Sequence, residues 1–574
     1  MKKLLFSGAL LYGAHYYISN IPPKLNYIGT KTRQREENLE SMKKETYDIF
    51  IIGGGATGAG VALEASTRGL KSCLIDKGDF AGQTSSKSTK LLHGGVRYLD
   101  KAVHGEEISA NINLVLEGLR ERSTILKSAP YMTSWVGLAV PCTSYFDLIY
   151  FYCGLLAYHM MAFTQSFYGP YIPWPYLSLN KMIIPYLKND FKGSVVYYDG
   201  QMNDCRLCIE VLLTSATDEY ISNSVPCHIA NYVEFVDFTW EKGKISGAKV
   251  KDLETGNIFE IKSKVVVNCT GPFSDRIRLL GGLKEKRIVP GKGSHVILPS
   301  NYAPKSTGML IPKTKDGRVL FLVPWEGHTI LGTTDELGEV TETSKISDME
   351  RKFLVEELSK YISIAPYKIN QDILGSFSGE RPLVKGLGGN TSSLLRTHEV
   401  EIAESGLVSV LGGKWTTFRA MGEEAIDKVV ENFEFHNAKK SVTKNLVFLR
   451  NKEDPDQKIN LPKYISEKTF DYLTNHYGNH ANIVAALGEK KLINNMPFIE
   501  GEVRYAIKHE YALHPIDVVA RRIRLALIDY KSCKFVLKKV TRIMAEELNW
   551  TEAKKEAEYE KSLKHLKVFI SDSN

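Results

Sequence analysis

Between residues 53 and 98 the sequence concentrates groups that bind phosphates and diols: Gly53-x-Gly55-x-x-Gly58, then Asp76, then "GQTSSKSTKLLHGGVRYL". In the first motif each glycine has its own task. Gly53 permits a tight turn, Gly55 lets backbone amides approach a pyrophosphate, and Gly58 lets the following helix pack close to the preceding strand. The N-terminus of that helix then turns its dipole toward a diphosphate. Asp76 can accept hydrogen bonds from a ribose diol. A dinucleotide is the ligand this set predicts. The hydroxyl-rich stretch narrows it further. An NAD site usually continues into another regular βα unit. Here Thr84, Ser85, Ser86 and Ser88 offer hydrogen bonds at a density suited to the ribityl and phosphate portion of a longer cofactor, and Gly94-Gly95 suits close approach to a flat ring. The stretch reads as the floor of a flavin site, so the cofactor expected is FAD.

These residues need elements to hold them. The apolar run Tyr47 to Ile52 predicts a buried strand, and a helix with Ala62, Leu63 and Ala65 on one side follows the glycines. Ser72 to Ile75 predicts a second strand ending at Asp76. "KSKVVVNCTGPFSD" is another strand-to-turn element, ending at Thr270-Gly271, and Val233 completes the cofactor candidates. "GLVSVLGGKWTTFRAMGEEAID" repeats the pattern of strand, Gly412-Gly413 and helix, with Lys414 directly after. Its helix N-terminus could serve the pyrimidine end of an isoalloxazine, where negative charge develops on reduction. The cofactor domain is therefore expected to be discontinuous, with pieces near 46–130, 190–275 and 390–430.

The rest of the composition bounds the answer. A chain of 574 residues exceeds one core and implies two or three domains: 1–45 as a leader or anchor with a linker, 46–430 as the discontinuous domain with insertions at about 131–190 and 276–385, and 431–574 as a helical C-terminal domain. A net charge of +8 with no basic face argues against nucleic acid. The cysteines are scattered, and Cys205–Cys208 lies in an apparent helix with no second pair, so neither a structural metal nor a disulfide framework is expected. "MKKLLFSGALLYGAHYYISN" reads as a targeting leader or anchor near the lower length limit for a membrane span. Arg521, Arg522 and Arg524 cluster in the C-terminal region, where solvated amphipathic helices are the default.

Taken in order, "IIGGGATGAGVALEASTRGL", "TSSKSTKLLHGGVRYL", "VVYYDGQMND", "NCTGPFSD", "KGSHVILP", "ILGTTD", "GERPLV" and "GGKWTTFR" resemble the mitochondrial FAD-dependent glycerol-3-phosphate dehydrogenase family over roughly residues 46 to 530. Two positions depart from its pattern: Glu64 stands where Asp is usual, and Phe418 where Tyr is common. The resemblance implies an α/β fold, with a discontinuous FAD-binding Rossmann-like domain of the glutathione-reductase/amino-acid-oxidase type, a mixed-sheet substrate cap and an α-helical C-terminal domain. It implies oxidation of sn-glycerol 3-phosphate to dihydroxyacetone phosphate, ubiquinone as electron acceptor, and a place at the mitochondrial inner membrane. It also allows a homodimer. No D-x-D-x-D-G loop follows residue 530, so the calcium-binding hands of animal members are not expected.

At the reacting end, cations beyond those FAD requires point to an anionic substrate, since Arg offers bidentate geometry for phosphate. Arg97, Tyr98, Arg318, Arg381 and Lys414 are the candidates to grip it, with Thr333 and Thr334 beside them. Arg381 and Lys414 stand with His295 as catalytic candidates, and His295 is the expected base because its ordinary pKa, about 6.5, suits proton removal near neutrality. The segment 141–178 is dense in aromatic residues, with no Asp, Glu, Lys or Arg between Asp147 and Lys181. It reads either as a buried cap or as an interfacial patch touching lipid, and the family's membrane habit favours the patch. Three rivals stay open at this point: a soluble glycerol-3-phosphate oxidase, a flavin amine or 2-hydroxyacid oxidoreductase, and a catalytically dead FAD scaffold.

Overall fold

The glycine turn sits where two layers meet. In the computed structural model, which describes residues 31–165, 175–178, 184–315, 317–385, 394–395, 398–451 and 465–570 together with Leu25 and Tyr27, Thr46–Ile52 is the centre of a parallel sheet. It pairs with Ser72–Ile75 on one side and Ile258–Asn268 on the other. Val408–Gly412 and His228–Ala230 extend the sheet in parallel, and His398–Ile402 closes one edge antiparallel. Successive side chains of the central strand feed opposite cores, as the period of a strand requires. Ile49 and Ile51 join the helical layer of Ala56–Thr67, Asp204–Ser215 and Phe418–Asn432, while Phe50 and Ile52 meet the hairpin of Val233–Glu241 and Lys244–Asp252. A sheet covered on both faces explains why its strands read as continuous apolar runs.

The second sheet is mixed. Its order is Leu394–Leu395, Gly375–Lys385, Ile288–Pro299, His328–Gly332, Leu320–Trp325, Thr307–Ile311, Thr133–Cys142, Gly193–Met202 and Leu91–Leu92. Gly193–Met202 pairs with Thr133–Cys142 along its whole length. The chain thus returns to the first layer only at Asp204–Ser215, later than the boundary near 190 read from the sequence. Leu91–Leu92 carries the end of the hydroxyl-rich loop into this same sheet.

The C-terminal helices, among them Glu500–His509, Tyr530–Glu547 and Glu552–Leu566, share one core with the second sheet, where Val503, Ile523 and Leu537 meet Leu138, Ile297 and Phe377. One expectation is overturned here. Arg521, Arg522 and Arg524 are buried rather than solvated, because each finds a carboxylate, which is what a buried charge requires. All eight cysteines are free, with Cys205 and Cys208 buried in Asp204–Ser215. The aromatic segment contributes the helix Tyr145–Gln165, which leaves Tyr145, Phe146 and Ile149 exposed while burying Leu148, Leu155 and Tyr158. Among the described residues no helix is long and apolar enough to cross a membrane. The leader 1–24 and residues 166–174 of the aromatic segment lie outside the described residues.

Candidate functional site

A cavity of about 1470 Å³ runs between the two sheets, lined by Gly53, Gly55, Asp76 and Val233, by Thr84, Ser85 and Ser88, and by Thr270, Gly271, Gly413 and Lys414. The turn that opens it is built as its glycines require. Gly53 has φ +110°, and a Cβ on Gly58 would lie 1.9 Å from the Gly53 carbonyl oxygen, so neither position accepts a side chain without displacement. Gly58 therefore does not line the cavity; it sets the approach of helix Ala56–Thr67, whose first-turn amides have no partner within the helix. Asp76 lines the cavity and also braces the turn, accepting from Gly54 N at 2.7 Å and Gly78 N at 2.8 Å. Burial raises its pKa to about 6 against the opposing pull of those two amides.

The hydroxyl-rich loop spends much of its capacity on itself. Thr84 Oγ1 donates to the Glu380 carbonyl at 2.6 Å, and Ser85 Oγ accepts from Ala56 N at 2.9 Å. Ser86 Oγ donates to the Gln83 carbonyl at 3.1 Å and stays outside the cavity lining, as does Gly94, whose N–H donates to the Tyr158 hydroxyl at 2.8 Å. Ser88 N and Oγ both donate to Asp204, at 3.0 and 2.7 Å. Cavities for small ligands run to roughly 300–1,000 Å³, so this one has room for a long dinucleotide and a second molecule. Two glycine turns, one leading into helix Ala56–Thr67 and the other toward helix Phe418–Asn432, fit FAD.

Seven of the eight residues expected to hold or turn over substrate line the same cavity: Arg97, Tyr98, His295, Arg318, Thr333, Arg381 and Lys414. The second sheet brings most of them there. His295 lies on Ile288–Pro299 opposite Phe377 and stacks on its ring at 4.6 Å; Arg381 lies on Gly375–Lys385. Arg381 donates to Thr333 Oγ1 at 2.9 Å and to Asp335 Oδ1 at 3.0 Å. The Lys414 ammonium stands 4.0 Å from the centre of the Tyr98 ring, and Arg318 sits 5.5 Å from the Phe353 ring. Thr334 stands apart. It is buried, its Oγ1 donates to Glu350 at 2.7 Å and accepts from Ser294 N at 2.9 Å, and it thereby fixes the strand that carries His295.

His295 shares a hydrogen bond of 2.9 Å between Nε2 and Thr89 Oγ1, and its buried Nδ1 has no hydrogen-bond partner among the described residues. Burial, and then the cations of Lys90 and Arg381, push its pKa well below the ordinary value, so the ring stands neutral. Sequence reasoning passed over further titratable groups in the lining, His93 and Asp199 among them. His93, pushed down to about 3 by burial and by Lys414, lies against Phe321; its place in "LLHGG" was the available signal. Asp199, pushed up to about 6 by burial, is held by Arg122 and accepts from the Tyr158 hydroxyl at 3.0 Å. An acid within the apolar strand Gly193–Met202 was its signal.

Comparison with known proteins places this arrangement. Residues 48–427 match the family described as FAD dependent oxidoreductase, and residues 409–555 match the C-terminal domain of alpha-glycerophosphate oxidase. The chain is 38% identical over 548 residues to a probable mitochondrial glycerol-3-phosphate dehydrogenase of Caenorhabditis elegans, covering 92% of this chain and 74% of that one. It is 36% identical to the mitochondrial glycerol-3-phosphate dehydrogenase of Rattus norvegicus, covering 94% and 76% of the two chains. A probable counterpart in Dictyostelium discoideum is 35% identical, with 96% and 88% covered. Among solved structures, a glycerol-3-phosphate dehydrogenase from Bacillus halodurans complexed with FAD has the same fold, with a TM-score of 0.70 at 23% identity over 93% of this chain and 97% of that one.

Proposed function

This chain belongs to the FAD-dependent oxidoreductases, in their glycerol-3-phosphate dehydrogenase branch, and from that premise we propose that it oxidises sn-glycerol 3-phosphate to dihydroxyacetone phosphate and passes the electrons to membrane ubiquinone. The observation that carries the reading is the continuity of the cavity, in which the glycine turn and the Arg318, Arg381, Lys414 and His295 side chains line one space. FAD, when bound, supplies the acceptor for the C2 hydride. The residues of the chain do the rest. Arg97, Arg318, Arg381 and Lys414 hold the phosphate and set the polyol's orientation, with Tyr98 packed beneath the Lys414 ammonium. His295 takes the C2 hydroxyl proton, a task open to it because its ring is neutral and its Nδ1 has no hydrogen-bond partner among the described residues.

For the acceptor, the supporting observation is the helix Tyr145–Gln165. Phe146, Ile149 and Tyr150 are exposed and also line the cavity, so an apolar face adjoins the site. Such a face suits lipid contact and the approach of an apolar quinone. The mitochondrial names of the relatives support an inner-membrane address with peripheral attachment. Anaerobic titration of the purified protein with glycerol 3-phosphate tests the chemistry, and full bleaching of the flavin is expected. A flavin that stays oxidised would end the proposal. His295→Ala should keep its FAD and reduce it far more slowly. Protein lacking the N-terminal leader should still bind liposomes and reduce quinone faster than it forms peroxide.

A further inference from the structure

Three residues of the C-terminal region reach back across the molecule to the loop that floors the cavity. Arg522 grips Asp79 with both arms of its guanidinium, at 2.6 and 3.0 Å, and Arg521 donates to the same carboxylate and to Asp517. Arg524 donates to the Ser86 carbonyl at 2.7 Å and to Asp204 Oδ1 at 3.0 Å. The other oxygen of Asp204 takes Ser88 N, Ser88 Oγ and the Lys90 ammonium, the last at 2.8 Å. All these charged groups are buried, and Asp79 and Ser88 line the cavity. The loop is therefore held at its start, at its middle turn and at its end by charges that cannot leave without stranding a partner away from water.

The backbone carries the mark of that constraint. Ala81, Lys90 and Arg524 hold φ of 57°, 65° and 62°, a conformation that residues with a Cβ adopt at a cost and keep only where their surroundings impose it. Arg521 and Arg522 end a π-helical turn, Val518–Arg522, a local distortion that recurs at functional sites. Here it sets two successive arginines on one carboxylate.

We propose that the C-terminal helical region is part of the cofactor holder, with Arg522 and Arg524 as positioning residues for the loop 79–90, so that FAD occupancy and the docking of residues 518–524 stabilise one another. The inference rests on the assignment of FAD made above. Linkage requires the effect to run both ways: whatever loosens the arginines weakens FAD, and FAD tightens the arginines. Ion pairs that only join two domains would behave otherwise, lowering thermal stability equally with and without cofactor.

The test uses the full-length FAD-loaded protein and the variants Arg522→Lys and Arg524→Lys, which keep the charge and lose the fork. Arg542→Lys, exposed on Tyr530–Glu547, is the control. Both loop variants should release FAD faster on dilution, on the order of tenfold, and show a smaller rise in melting temperature when FAD is added back to stripped protein. The control should match the wild type. Wild-type release with an undiminished FAD-induced rise would overturn the inference. Where a variant fails to fold, hydrogen exchange of residues 518–528 in the wild type decides. Exchange should slow with FAD bound, and equal exchange with and without FAD would overturn it. A colourless wild-type protein that takes up no FAD would sink the cofactor assignment, and this inference with it.

Discussion

Cations serve opposite purposes in two parts of this molecule. Where helix Asp204–Ser215 meets the C-terminal region, Arg206 and Arg450 close on Glu510 at 2.7 and 2.8 Å, Arg450 also meets Glu210 at 3.1 Å, and the four side chains are at most 1% exposed. Around the cavity the partners are different. Lys414 lies over a ring, Arg318 over another, and Arg381 meets a threonine hydroxyl and the carboxylate of Asp335, its own side chain 33% exposed. Where carboxylates match guanidiniums the charge is spent inside the fold. Where a ring takes the place of a carboxylate, as at Lys414, or the pair is open to water, as at Arg381 and Asp335, positive potential is left over for an anion.

The comparison breaks first if the matched set proves dispensable. Burial pushes the Glu510 carboxyl up, yet Arg206 and Arg450 hold it down at about 2. Glu510→Gln removes the shared charge and leaves buried guanidiniums facing one another. About 3–5 kcal/mol of stability should go with it, a large part of the 5–15 kcal/mol typical of a folded domain. Urea unfolding followed by tryptophan fluorescence reads this directly, and a midpoint like that of the wild type would mean that the cluster contributes little.

A matched histidine makes the same point through pH. His514 lies between Glu558 at 2.7 Å and Glu254 at 3.0 Å, with Asp517, Lys561 and Tyr232 around it. Burial pulls its pKa down, but the two glutamates lift it to about 9. A pKa raised above the unfolded value, about 6.5, gives stability that is complete below that value and fades as pH climbs through about 9. The stability gap between wild type and His514→Gln should therefore narrow by about 3 kcal/mol across that window. A gap that stays constant with pH would mean that the imidazole is neutral in the fold.

On the cavity side the expected losses are catalytic. Arg381→Met should lower kcat/KM for glycerol 3-phosphate on the order of 100-fold, with stability moved by less than about 1 kcal/mol because its ion pair is partly exposed. Stopped-flow flavin reduction and a melting curve on one preparation separate the two. A large stability loss with ordinary turnover would move Arg381 into the matched class.

Which of these features can be read from a sequence follows from how far apart the partners lie. The βαβ unit at Thr46–Ile75 is legible because its turn, helix and strands are contiguous and each glycine has a local reason. Among the cavity cations Arg97 and Lys414 are legible because each follows a glycine pair closely, whereas Arg381 lies inside the strand Gly375–Lys385. The second sheet is not, since Gly193–Met202 pairs with Thr133–Cys142 across the aromatic helix. Nor are the buried arginines: Arg521 meets an aspartate 442 positions away, and a run of arginines with a single acid, Asp517, one turn before it resembles a solvated face. Glu64, one of the two departures, is buried and accepts from Thr443 at 2.7 Å, a partner equally remote in the chain.

Salt offers the smallest effect and the finest distinction. At physiological ionic strength charges in contact with water are screened within about 8 Å, whereas buried pairs are screened far less. Raising salt from about 0.05 to 0.5 M should therefore raise KM for the phosphorylated substrate severalfold, because part of its attraction comes from side chains such as Arg381 that water reaches. The same salt should leave the Arg206–Glu510–Arg450 cluster alone, so the urea midpoint should scarcely move. A neutral polyol such as glycerol, lacking the phosphate, should show no salt dependence in its own weak turnover. If instead the midpoint falls while KM holds steady, the roles of the two sets are reversed: the cations on Glu510 would be the ones water reaches, and the cavity would hold its anion by hydrogen bonds from uncharged groups.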